Sequence, residues 1–72
     1  MISDEPKVDH TYQHFKGNFY HVIEIAHHTE LDQCLVIYKN DYGQTWARPI
    51  EEWNKPTEDG VKRFSEVIAR RF

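Results

Sequence analysis

From Phe19 to His27 the side chains alternate: His21, Ile23, Ile25 and His27 fall on one side, and Tyr20, Val22, Glu24 and Ala26 on the other. A period of two is the mark of a β-strand, because successive side chains of a pleated backbone point to opposite faces. The polar stretch His28 to Asp32 separates this run from the continuous apolar segment Cys34-Leu35-Val36-Ile37-Tyr38. Two such runs around a short polar loop predict an antiparallel hairpin. The unbroken second run predicts a strand covered on both faces, in the middle of a small sheet. Asn40-Asp41-Tyr42-Gly43 then carries turn chemistry, since Asn and Asp bond their own backbone and Gly accepts positive φ. Thr45 to Ile50 reads as a third strand ended by Pro49, which has no N–H to give to a ladder.

Upstream, Tyr12, His14, Phe15, Phe19 and Tyr20 crowd around Gly17, which predicts a tight turn feeding the first core strand. Residues 1–10 show no period and little to bury, so a flexible lead-in is expected. Downstream, Ile50 and Trp53 share one face of a single helical turn that Pro56 stops. Lys55 to Gly60 reads as a surface loop and Val61 to Phe64 as a short closing strand. From Ser65 the period becomes helical: Phe64, Val67, Ile68 and Phe72 recur on one side, with Ser65 as N-cap and Arg70 and Arg71 at the C-terminus. A helix this short needs tertiary support, from its own barrel or from another subunit. The expected fold is mainly β: a small SH3-like barrel or roll of four to five short antiparallel strands over residues 11–64, followed by a short C-terminal helix over residues 65–72.

Composition narrows the picture. A chain of 72 residues is one small domain, of a size that hides only about 60% of the surface its unfolded form exposes. Four Phe, four Tyr and two Trp supply the large buried areas that such a core needs. The net charge of -3 argues against a protein whose main work is to neutralise a phosphate backbone, although it leaves room for one basic pocket. Cys34 is the single cysteine, so a disulfide framework is excluded and a reducing, cytoplasmic setting fits. No basic n-region with an apolar run stands at the N-terminus, and no stretch approaches the length of a membrane span; a soluble, untargeted protein is expected.

Five blocks in order carry a resemblance. They are Y-x-H-F-K-G-x-x-Y at Tyr12 to Tyr20, A-x-H at Ala26 to His28 with Thr29-Glu30 after it, V-x-Y at Val36 to Tyr38, W-x-R-P at Trp46 to Pro49, and R-F at Arg63-Phe64. Over roughly Thr11 to Phe64 the chain resembles domain of unknown function 1653. The resemblance implies a compact SH3-like β-roll, found mainly in bacteria and their phages, without an established activity. Two departures stand out: Trp53 occupies a position where such proteins often have Phe, and the tail over residues 65–72 extends past the family's usual end.

Candidate chemistry is limited. Five His residues invite a metal reading, His10 and His14 being four apart and His27 beside His28. A zinc site wants three or four convergent ligands, and neighbours in a strand point to opposite faces, so hydrogen-bonded or solvated imidazoles are expected and no metal or cofactor. Cys34 among Leu, Val and Ile reads as a small inert core residue. With no nucleophile motif, Gly-rich phosphate loop or paired carboxylates, no enzyme is expected.

The best candidate site is a surface one. His14 and Lys16 flank the turn before the first strand, His28 and Thr29 leave its far end, and Tyr42, Trp46 and Arg48 come from the hairpin after the second. Together they offer aromatic planes, a guanidinium and polar donors, a mixture suited to a planar anion, because Arg pairs bidentately with phosphate or carboxylate and stacks on rings. Against this, Trp46 would simply fill the core and Arg48 would bridge Glu24 or Glu51. The expected function is a non-catalytic module that recognises a small anionic, nucleotide-like ligand. The alternatives are an adaptor that takes a peptide or partner protein, and a nucleic-acid binder using Lys62, Arg63, Arg70 and Arg71. A homo-oligomer through Phe64, Val67, Ile68 and Phe72 would deepen the pocket, and no membrane partner is expected.

Overall fold

A computed structural model describes residues 5–67. Within them the chain is mainly β: strands β1 (Thr11–His14), β2 (Phe19–His28), β3 (Gln33–Asn40), β4 (Thr45–Pro49) and β5 (Phe64–Glu66), with one short helix, α1 (Ile50–Asn54), before the last strand. All neighbours pair antiparallel in one open sheet of order β4-β3-β2-β1-β5. The first four strands form a meander, and β5 returns to the free edge of β1.

The β2–β3 and β3–β4 hairpins lie where the hydrophobic pattern put them. Gly43 has φ +84° and its N–H donates to the Asn40 carbonyl at 3.2 Å, the closure that turn chemistry at Asn40-Asp41 predicts. Upstream, the chain around Gly17 is more than a turn. Thr11–His14 is itself a strand, and Gly17 at φ +107° closes a hairpin in which the Gly17 N–H donates to the His14 carbonyl at 2.7 Å.

The alternation in β2 does not run unbroken. A bulge between Val22 and Glu24 shifts the register, so that Val22 faces Tyr38 and Ile25 faces Val36 across the hairpin. One extra residue in a strand turns every later side chain over. Tyr20, Val22 and Ile25 therefore share the inner face, whereas Ile23 remains 37% exposed. Of the apolar run in β3 only Val36 and Tyr38 are buried; Leu35 and Ile37 are half-buried on the outer face, so the strand is covered on one side rather than two. Cys34 is exposed near the strand's start and is not the core residue its neighbours suggested.

The inner face forms the core: Tyr12, Val22, Val36, Tyr38 and Phe64 from four strands, closed by Trp53 from α1. Trp53 stacks flat on Phe64 with ring centroids 3.8 Å apart and planes within 4°, and meets Tyr12 and Tyr38 edge-on at 5.5 and 5.1 Å. The two edge-on contacts are geometries that aromatic quadrupoles favour. Helix α1 thus acts as a plug: Pro49 ends the β4 ladder, one turn follows, and its buried residue, Trp53, fills the centre.

Two expectations fail at the C-terminal end. Phe64–Glu66 is a strand paired with β1, Ser65 lying opposite Gln13, so the closing strand begins three residues later than expected and Ser65 caps no helix. A strand alternates, and burying Phe64 while pairing its backbone with β1 outweighs the helical spacing of Phe64 with Val67. Residues 68–72 of the expected helix lie outside the described residues. Phe64, expected in a subunit contact with Val67, Ile68 and Phe72, is instead 2% exposed in its own core; Val67 is 37% exposed, and Ile68 and Phe72 lie outside the described residues.

The lead-in is not loose where it is described. Pro6 is buried, the Lys7 N–H donates to the Tyr12 hydroxyl at 2.9 Å, and the Asp9 N–H donates to the Val22 carbonyl at 2.8 Å. His10 Nδ1 pairs with the Glu66 carboxylate, which Lys7 Nζ also approaches at 3.7 Å. These bonds pin residues 7–10 across β1, β2 and β5. Residues 1–4 of the expected lead-in lie outside the described residues.

Candidate ligand-binding face

The curl of the sheet brings its two edge strands together at one opening of the core. From β4, Trp46 and Arg48 point to the inner side, two residues apart as a strand requires; Trp46 lies opposite Tyr38 and Arg48 opposite Val36. From β1 comes His14, opposite Phe64 of β5. Tyr20 of β2 lies among them, its ring 6.0 Å from Trp46, 6.0 Å from Phe64 and 6.3 Å from His14.

Arg48 does not bridge Glu24 or Glu51. Its Nε donates to the Tyr38 hydroxyl at 3.2 Å and its guanidinium lies 5.5 Å from the Phe64 ring centroid. Trp46 is 41% exposed, so it borders the core instead of filling it. The indole is held by Tyr20 and Tyr38 at its inner side and open to solvent at the other.

His14 is wedged between Phe15 at 4.5 Å and Phe64 at 4.9 Å. Its Nδ1 accepts from the Lys16 N–H at 3.2 Å, so a neutral ring carries its proton on Nε2. Burial lowers the His14 pKa from the ordinary 6.5, and the positive charges of Arg48, Arg63 and Lys16 lower it further. The neutral imidazole is thus a hydrogen-bond donor within the field of three cations.

Arg63 and Lys16 complete that field. Arg63 Nε donates to the Lys55 carbonyl at 3.0 Å, and its guanidinium lies 5.7 Å from the Phe15 ring; Lys16 Nζ is 5.9 Å from the same ring. The ion pairs among the described residues are those of Lys7, His10, His21 and His27, and none involves Arg48, Arg63 or Lys16. In a chain of net charge -3, three cations gather here with no carboxylate in ion-pair contact among the described residues.

Of the seven residues singled out from the sequence, the fold brings His14, Lys16, Trp46 and Arg48 to this face. Tyr42 stands at the tip of the β3–β4 turn, 89% exposed, beside Tyr20 and Phe19. His28 and Thr29 do not join. They close the other end of β2, roughly 25 Å along the strand from Tyr20 at about 3.3 Å per residue. There the His28 Nδ1 accepts from the Leu31 N–H at 3.2 Å, a loop brace. Sequence reasoning missed Tyr20, Phe64, Arg63 and Phe15. The signal for Tyr20 was present, because a tight hairpin at Gly17 sets Tyr20 opposite Tyr12. Arg63 and Phe15 meet only through the β1–β5 pairing, which nothing local announces.

The histidines do not converge. His10 pairs with Glu66, His21 Nε2 approaches Asp9 at 3.9 Å, and His27 Nε2 meets Asp32 at 2.9 Å. No group of three or more His, Cys, Asp or Glu suited to a metal ion occurs among the described residues.

Fold and site together define a small curled antiparallel module with a plugged aromatic core and a cation-rimmed, aromatic mouth. The chain belongs to the family described as a protein of unknown function (DUF1653), whose model matches residues 10–72. The match runs to Phe72, so the tail that the sequence comparison left beyond the family's usual end lies within it. No curated protein and no solved structure matches this chain. No helix among the described residues is long and apolar enough to cross a membrane.

Proposed function

We propose that this chain is a non-catalytic binding module whose aromatic mouth takes a small planar anion, a nucleotide-like ligand being the natural case. The observation that carries the reading is the cluster of Arg48, Arg63 and Lys16 around the neutral His14, with no carboxylate partner among the described residues. Collecting three unpaired cations costs electrostatic free energy in the free protein, and a phosphate or carboxylate relieves it. Trp46, open to solvent on one side, offers a ring face on which a planar group stacks. Arg48, with one nitrogen committed to Tyr38, keeps the two outer nitrogens of its fork for a bidentate anion. A reducing cytoplasm suits a protein with an exposed Cys34 thiol.

The test is thermal stability against nucleoside monophosphates, inorganic phosphate, short peptides and divalent metals, repeated with Arg48→Gln and Lys16→Ala, each variant referred to its own ligand-free midpoint. A ligand bound by the native state raises the midpoint with the logarithm of its concentration over Kd. A rise with a nucleotide that shrinks in both variants supports the reading. Flat midpoints for every anion overturn it and favour the adaptor reading, and tight, salt-sensitive binding of oligonucleotides would favour a nucleic-acid partner instead.

A further inference from the structure

Beside the cation-rimmed mouth, where the β1–β2 turn meets the β3–β4 turn, lies a concavity of about 170 Å³ lined by Asn18, Phe19, Tyr20, Asn40, Asp41 and Tyr42. Pockets for drug-sized ligands run to about 300–1,000 Å³, so this one has room for a single planar ring system and not for a whole ligand. Three of its six walls are aromatic, and the Tyr42 ring is almost fully free to move onto whatever enters.

The polar walls divide into spent and unspent groups. The Asn40 amide is consumed by its turn: Oδ1 accepts from the N–H groups of Tyr42 at 3.0 Å and Gln44 at 2.9 Å, and Nδ2 donates to Gln44 Oε1 at 3.0 Å. The Asn18 side-chain amide and the Asp41 carboxylate, by contrast, make no hydrogen bond or ion pair among the described residues. An ionised carboxylate only accepts, and it accepts best from two N–H donors side by side. A guanine ring carries such a pair, N1–H and the N2 amine, on one edge, whereas adenine presents a ring acceptor there.

Tyr20 joins the two places, since it lines this concavity and also borders His14 and Trp46. The charge arrangement is polar along that line: the Asp41 carboxylate at one end, the Arg48 and Arg63 guanidinium groups at the other. A guanine nucleotide has the complementary polarity, with N–H donors at the base and negative charge at the phosphate.

We propose that the concavity between Asn18 and Tyr42 is a base subsite for a guanine ring, Asp41 accepting from its N–H edge and Tyr42 and Tyr20 stacking on it, with the phosphate at Arg48, Arg63 and His14. This rests on the anion reading above and goes beyond it by assigning the base. Because Asp41 and Tyr42 lie in an exposed turn outside the core, their substitution leaves the fold intact, which circular dichroism checks.

The experiment is calorimetric titration of GMP, AMP and ribose 5-phosphate into the wild-type chain and into Asp41→Asn, Tyr42→Ala and Arg48→Gln. GMP is expected to bind about tenfold more tightly than AMP, the worth of a charge-assisted hydrogen bond pair. Asp41→Asn should erase that preference, Tyr42→Ala should weaken both nucleotides toward ribose 5-phosphate, and ribose 5-phosphate itself should be indifferent to either change. Equal affinity for GMP and AMP, or a GMP affinity untouched by Asp41→Asn, overturns the base subsite, while loss of binding in Arg48→Gln still upholds the anion site. If none of the three probes binds, the anion reading falls and the base subsite with it.

Discussion

Arg48 of β4 lies over the ring of Phe64 of β5, its guanidinium carbon 5.5 Å from the ring centroid, although β4 and β5 are opposite edges of the sheet. The contact spans the mouth of the roll without a single backbone hydrogen bond between the two strands. Replacing Arg48 by Met keeps the stem but removes the charge and the hydrogen bond to Tyr38. A loss of about 1 kcal/mol is expected, within the range of an exposed cation–π contact plus one hydrogen bond. Urea denaturation measures it, and an unchanged midpoint would mean that the Arg48 contact adds nothing net to stability.

Trp53 is the plug on which the roll closes. Trp53→Ala removes a ring stacked on Phe64 and edged by Tyr12 and Tyr38. Large-to-small changes of this kind cost about 3–5 kcal/mol, a large share of what a domain this small has to spare. Loss of the cooperative thermal transition is therefore expected. Trp53→Phe should be tolerated far better, because a ring still covers Phe64.

Gly17 adopts φ +107°, where a side chain is strained, although a Cβ there meets nothing within 4 Å. Gly17→Ala should cost about 1–3 kcal/mol through the backbone alone. A measured cost near zero would show that the hairpin relaxes to another turn.

Acid should loosen the β5 edge. The hydrogen bond from His10, the largest influence, and the charge of Lys7 hold the Glu66 carboxyl below its ordinary value of 4.5, against the opposing effect of burial. A folded pKa below the unfolded one gives stability that is present above the unfolded value and lost as pH falls through the lowered one. Glu66→Gln should thus flatten the decline in stability below pH 4.5, read from thermal midpoints across an acid series.

His14 links pH to binding. Its lowered pKa means that the free protein loses stability as pH falls from 6.5 toward the lowered value, because the unfolded chain takes the proton first. An anion seated among Arg48, Arg63 and Lys16 raises that pKa, so binding takes up a proton, and affinity for an anion that does not itself titrate there, such as sulfate, should rise as pH drops toward the lowered value. His14→Gln should abolish the slope. Equal proton uptake in both forms, measured in buffers of different ionisation enthalpy, would sink the linkage.

The sequence by itself determined the two central hairpins and the helical turn at Ile50–Asn54, because their signals are local: a period of two, Asn-Asp-Tyr-Gly turn chemistry, and a proline that ends a ladder. It also placed His14, Lys16, Trp46 and Arg48 as candidates from residue chemistry. Tertiary structure decided the rest. A bulge after Val22 reset which side chains of β2 face inward, and no composition rule marks where a ladder will admit an extra residue. Phe64–Glu66 became a strand because β1 offered an unpaired edge and Trp53 a ring to stack on, two partners distant in the chain that override a weak helical period. The same closure separated His28 and Thr29 from the mouth and brought in Tyr20, Arg63 and Phe64. Which rings face a ligand depends on how far the sheet curls, and that is set by packing across the core, not by neighbours along the chain.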